Sequence, residues 1–295
     1  FVVGVSDQAT DAIGVLFVQR QRRLAEPMFD MSLFAIRTFS TSVGAMMLTV
    51  LALSGAWLMV FQYLQGVLGL SPLEAGLVML PPAVIQTVAS LLVPKLTGWM
   101  PRWKLVSTGL LLAVIGLLML VPVHSTDQIP LLIAGMTVMG AGVMPMMILG
   151  TDMVISAAPA RKSGAASATS ETATELGMAL GIAVIGSIGA AVYRRHMLAA
   201  MPDSLPADLS LAAGDTLGGA LGAAAQLPAD IGEQVMAAAR EGFSMALHTN
   251  AIIGALILAG TAALVALLLS RPDDKGDEEG DEACDTPLAI SPNQQ

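Results

Sequence analysis

Long intervals without charge alternate with short clusters of basic and acidic residues. Arg37 and Glu74 enclose 36 uncharged residues, Glu74 and Lys95 enclose 20, and Lys104 and Asp127 enclose 22. Asp127 and Asp152 enclose 24, and Glu241 and Arg271 enclose 29. A sixth apolar stretch, from about 164 to 193, is interrupted only by Glu171 and Glu175. A membrane-crossing helix takes about 20 mostly apolar residues, because it must satisfy its own backbone groups in lipid. The pattern predicts six crossings, at 41–63, 75–94, 104–123, 130–157, 164–193 and 244–270. Five of them fill 41–193, and 244–270 is the last.

The remaining segments read differently. Residues 1–18 are apolar but carry Asp7 and Asp11, and read as a partial or remnant transmembrane helix. The chain opens on Phe1 without a basic region and cleavage site, which reads as the start of a fragment. Residues 19–40 form a cytoplasmic loop with an amphipathic segment. The stretch 194–243 is too long for a simple connection. It reads as an extracytoplasmic helical hairpin of two short helices broken at Pro228, with Gly214, Gly218 and Gly222 allowing them to approach. Residues 271–295 carry eight acids and two bases, and read as a disordered, solvated acidic tail.

Basic residues set the orientation. Eleven of the 14 Lys and Arg lie in alternate loops and the tail, and the other three are Arg194, Arg195 and Arg240 of the 194–243 stretch. Cytoplasmic loops hold the excess of Lys and Arg, so the C-terminus is expected in the cytoplasm.

Composition narrows the function classes. Hydrophobic residues make up 55% and charged residues 13%, with a mean hydropathy of +0.72. A soluble domain carries about 25% charged residues, so an ordinary soluble enzyme is excluded. One cysteine, Cys284, leaves no intramolecular disulfide framework, and three scattered His offer no metal-ligand spacing. A net charge of −9 argues against nucleic acid. No Walker A string is present. The expectation is an all-α polytopic transmembrane helix bundle with no cofactor and no resident metal, and not an enzyme.

Ionisable residues within a span are costly, so they point to function. Glu171 and Glu175 stand four residues apart and share a helix face. Roughly 10 and 17 Å from the cytoplasmic end at 1.5 Å per residue, they are the candidate proton or cation site. Asp152 lies near the end of its span and reads as a local ion-pair partner. Gln86 is placed to line a cavity or to join two helices. Trp57, Phe61 and Gln62 share a face that suits organic cations by cation–π contact, although core or lipid-facing packing is the commoner explanation for such a face. The string GMTVMGAGVMP (135–145) brings small residues and then a kink at Pro145.

Several strings resemble one family. LSPLEAGLVMLPP (70–82) is similar to an external turn and helix start of the 14-span drug:proton antiporters of the major facilitator superfamily. ARKSGAASATSETATELGMALGIAVIGSI (160–188) resembles their penultimate helix, and FDMSLFAIRTFS (29–40) resembles their approach to span 9. The 194–243 hairpin resembles one found between spans 13 and 14 in some members. The nearest likeness is to exporters of quaternary ammonium compounds and methyl viologen. The resemblance implies that this chain is the C-terminal half, with part of span 8 and then spans 9 to 14, in a bacterial cytoplasmic (inner) membrane. It implies a proton-coupled multidrug efflux antiporter. Its partners would be the lipid bilayer, protons, small lipophilic cationic substrates such as dyes, and a missing N-terminal half. Two acids of the family's penultimate helix fall on Glu171 and Glu175. An acid in span 10 of those exporters is replaced here by Gln86, which puts divalent-cation preference in doubt. The competing readings are a same-fold exporter of a neutral or anionic metabolite, a non-transporting membrane sensor and an intramembrane enzyme.

Overall fold

The computed structural model describes residues 31–123, 128–201 and 205–270, and all regular structure among them is helical. The expectations for 1–18, for 19–30 and for the 271–295 tail lie outside the described residues. A 3₁₀ turn at Met31–Ala35 leads into α1, Arg37–Gln62, which continues as a wider π-helical turn, Tyr63–Val67. Next come α2 (Pro72–Val78), α3 (Leu80–Leu96), α4 (Arg102–Leu118) and α5 (Ile129–Ser156). A second 3₁₀ turn, Ala160–Lys162, precedes α6 (Ser163–Leu180), a π turn (Gly181–Ile185) and α7 (Gly186–Ala200), together one long rod. The chain closes with α8 (Ala207–Asp215), α9 (Leu217–Ala224) and α10 (Ala229–Leu269).

Local chemistry explains several boundaries. Gly69 has φ +69°, a conformation an L side chain resists, and it turns the chain out of the π segment. Ser71 then caps α2. Its hydroxyl accepts from the Glu74 amide at 3.3 Å, while the Glu74 carboxylate accepts from the Ser71 amide at 2.8 Å, and Pro72 follows at the first helical position. Two prolines, Pro81 and Pro82, lack the N–H groups that would continue α2. The axis bends by 41° between α2 and α3. The span expected at 75–94 is therefore a bent pair.

Among the described residues four helical stretches are long and apolar enough to cross a membrane, and five if that bent pair is one crossing. The difference from six lies in α4. It ends at Leu118 after 17 residues, and 119–123 continue as turns rather than helix. Pro122 removes a donor and disfavours the helical conformation at Val121. The expected boundary at 244 lies inside a continuous helix, because α10 joins the second hairpin arm to the last apolar stretch over 41 residues. The break does fall at Pro228, which precedes α10.

Four helices form the centre. α1 packs against α5 and α10, and α4 packs against the same two. Their seams rely on glycine. A Cβ on Gly109 would stand 2.6 Å from the Gly142 carbonyl oxygen, and one on Gly116 would stand 2.7 Å from that of Gly135. Backbones of α4 and α5 thus touch directly, as small residues permit in lipid. α5 runs unbroken through Pro145, which is buried against Gly109. Pro145 thus also makes a packing contact with α4. α3 flanks this core beside α5, and α6 flanks it beside α1. Both leave apolar side chains exposed, including Val84, Val88 and Leu91 on α3 and Leu176, Ile182 and Val184 on the α6–α7 rod. Such a surface fits lipid or a second helical bundle.

At the end opposite the hairpin, Arg102 of α4 reaches Asp152 of α5 at 3.0 Å, with both side chains half exposed. Trp99 nearby is 89% exposed, as an interfacial indole is expected to be.

Gly116→Ala forces its Cβ into the α5 backbone and is expected to lower stability by about 1–3 kcal/mol. Gly260→Ala, where the new atom meets open space, is the control and should be near neutral. Unfolding monitored by intrinsic fluorescence in detergent against denaturant checks both.

Candidate functional site

The α6–α7 rod carries the two glutamates, and glycines set which way they point. Gly177 lies against the Met47 carbonyl and Gly181 against Leu51 and Ser54, all on α1. The Ser54 hydroxyl donates to the Met178 carbonyl at 3.4 Å across the same seam. At 100° per residue, Glu171 and Glu175 sit roughly 120° and 160° around the helix from Gly177. Both are exposed, on a face continued by Met178 and Ile182. The sequence expectation placed them within a bundle. Within this chain alone they face away from it, and neither makes an ion pair or hydrogen bond among the described residues.

The other candidates fall in two places. Gln86 of α3 lies over Gly140 of α5, where a Cβ would collide with its amide. In this arrangement it joins two helices. Trp57 and Phe61 stack on α1 with ring centroids 5.8 Å apart and an interplanar angle of 25°. Gln62, one residue on, is exposed.

Gln62 also lines two adjoining hollows at the hairpin end. One, of about 390 Å³, lies between α1, the rod, α10 and the elbow that joins α8 to α9. The other, about 550 Å³, lies between α1 and α9 and includes Phe61. Leu58, Gln62, Thr216 and Leu217 border both. Leu217 separates them by seating against Gly66 of the π turn. The elbow is fixed from several sides. Thr216 caps α9 by accepting from the Gly219 amide at 3.0 Å. The buried Tyr193 hydroxyl donates to the Ala213 carbonyl at 2.9 Å. Asp215 meets Arg194 of α7 at 3.1 Å.

Sequence reasoning missed this elbow because it weighed the hairpin by its glycine spacing. Gly218 and Gly222 meet open space, whereas Gly219 abuts Ala212 and Gly232 abuts Ala224. The available signal was Asp215-Thr216 ahead of a glycine-rich run, a helix-start pattern. Among the described residues no three His, Cys, Asp or Glu side chains converge as a metal site requires.

Buried glycine seams and a lipid-suited surface are features of membrane helix bundles. Residues 8–182 match the Major Facilitator Superfamily. The chain belongs to that superfamily. It is a multi-pass membrane protein of a transporter family. Its relatives include the multidrug efflux pump LfrA of Mycolicibacterium smegmatis, 39% identical over 258 residues, covering 88% of this chain and 51% of the pump. The methyl viologen resistance protein SmvA of Salmonella typhimurium is 32% identical over 233 residues, covering 77% and 46%. The tetracenomycin C resistance and export protein of Streptomyces glaucescens is 28% identical over 280 residues, covering 89% and 50%. The chain spans about half the length of the curated relatives it matches.

The uncovered face predicts reactivity. In this chain alone, Glu171→Cys and Glu175→Cys should react with a water-soluble maleimide several-fold faster than Ser170→Cys, whose position is buried between them and α1. Labelling time courses in detergent micelles check this.

Proposed function

We propose that this chain is the C-terminal half of a proton-coupled multidrug efflux antiporter of the bacterial cytoplasmic membrane. It exports lipophilic cations such as quaternary ammonium compounds, dyes and methyl viologen. Its C-terminus lies in the cytoplasm and the α8–α9 hairpin outside. The observation that carries the reading is the carboxylate pair, unpartnered on a rod whose exposed neighbours are Leu176, Met178, Leu180, Ile182 and Val184. Carboxylates on a lipid-facing surface are strongly disfavoured. A missing N-terminal half closing over that face buries them in a cavity between two bundles, where transporters of this architecture bind substrate. The names of the relatives support drug export as the class.

The chemistry follows from competition for the same oxygens. A deprotonated carboxylate attracts a lipophilic cation, and a protonated one releases it. Coupling arises because proton and cation have different affinities in the two conformations. The stacked Trp57 and Phe61 faces offer a second, weaker attraction for cationic rings, and Gln86 offers a neutral hydrogen-bonding group. Gln86 in place of an acid leaves one fewer negative charge, so no preference for divalent over monovalent cations is carried over from the exporters it resembles.

Inside-out vesicles carrying the complete exporter test this reading. Gradient-driven uptake of ethidium should fall to a small fraction of wild type in Glu171→Gln or Glu175→Gln at matched protein levels. Uptake unchanged in both variants removes the carboxylates from the mechanism and favours a neutral or anionic substrate. Wild-type vesicles that move no cation under a pH gradient sink the proposal.

A further inference from the structure

We infer that the 390 Å³ hollow beneath the α8–α9 elbow is a second binding site, distinct from the Glu171–Glu175 face, that holds a lipophilic monocation at the hairpin end. The inference rests on the cation-export reading. The hollow falls within the size range of small-molecule sites, which are mostly apolar with a few placed polar groups. Its walls are Leu58, Met59, Ile182, Leu217 and Phe243. Its one charged lining group is Asp215, and no Lys, Arg or His lines it. Gln62 and Thr216 add neutral oxygens at the rim.

The carboxylate is held by an exchangeable partner. Arg194 and Asp215 are 57% and 64% exposed, and exposed ion pairs are weak. A permanent cation with apolar rings can take the guanidinium's place, because it gains the apolar walls as well as the charge. A second feature lies behind the wall of the hollow. Asn250 does not line the hollow; it lies one turn along α10 from the lining residue Ala246 and packs behind Gly189, another lining residue. Its amide is 2% exposed, yet neither its oxygen nor its nitrogen has a hydrogen-bond partner among the described residues. Buried polar groups are normally satisfied. A single carboxylate also suits one positive charge rather than two.

The test uses the complete exporter, purified and reconstituted into sealed proteoliposomes with its native cysteines, Cys284 among them, replaced. Gln62→Cys places a thiol at the rim, and Leu211→Cys, on the exposed side of α8, serves as reference. Tetraphenylphosphonium should slow maleimide labelling of Gln62→Cys and leave Leu211→Cys unaffected. Triphenylphosphine oxide, the uncharged counterpart, should protect poorly. Asp215→Asn should raise the half-protecting concentration about tenfold, the size of a charge-assisted contact, and Arg194→Gln should lower it. A structural fastening alone moves both variants the same way, and that result overturns the site. Absence of protection by tetraphenylphosphonium in a preparation that still transports it under a pH gradient also overturns the site, while the export reading stands. Protection with opposite shifts in the two variants, but without transport, keeps the site and removes the export reading.

Discussion

Close backbone approach is the constraint on which the rest of the fold depends. In lipid there is little hydrophobic gain in bringing two apolar helices together, so packing contacts must do it. The α4–α5 seam shows how. Gly109, Gly116, Gly135 and Gly142 bring peptide groups of the two helices into direct contact. Gly177 and Gly181 do the same between the rod and α1. Larger residues at these points would separate the helices by the width of a side chain. Everything else follows from which faces the glycines pull inward. The Glu171–Glu175 face is left outside because the glycine stripe lies on the other side of the same helix.

That placement gives the rod two kinds of surface. One side is fixed to α1 through backbone contact and the Ser54 hydroxyl. The other combines carboxylates with exposed aliphatic side chains, which is stable neither in water nor against lipid tails. A protein with such a face gains from a partner surface that is both apolar and wet. In the function proposed above, a second bundle would supply that surface.

The helical class, the break at Pro228 and the positions of most apolar stretches were legible from the spacing of charges. Charge spacing reads burial in lipid well, since a single Asp or Lys ends a crossing. It reads helix continuity poorly. Glu233, Arg240 and Glu241 looked like the end of an external segment, yet nothing in helical geometry stops α10 from passing through them, and it does. The bend at Pro81-Pro82 and the early end of α4 before Pro122 are proline effects, written in the sequence but hidden by hydropathy. The glutamates were found by their cost within an apolar stretch. Their outward direction could not be, because it depends on which glycines meet α1. The elbow at Asp215-Thr216 was missed because glycine spacing alone does not say whether a partner helix is present.

The 41-residue length of α10 has a mechanical consequence. At 1.5 Å per residue it is about 62 Å long, twice the roughly 30 Å hydrocarbon thickness of a bilayer. An upright helix of this length would extend well beyond the lipid as a stiff arm, with α9 packed beside it. A tilt of about 10° at the membrane surface swings the tip of a 30 Å arm by about 5 Å. Any rocking of the bundle would thus be amplified at the hairpin. Any tilt of the last crossing would reach the elbow through this one unbroken helix.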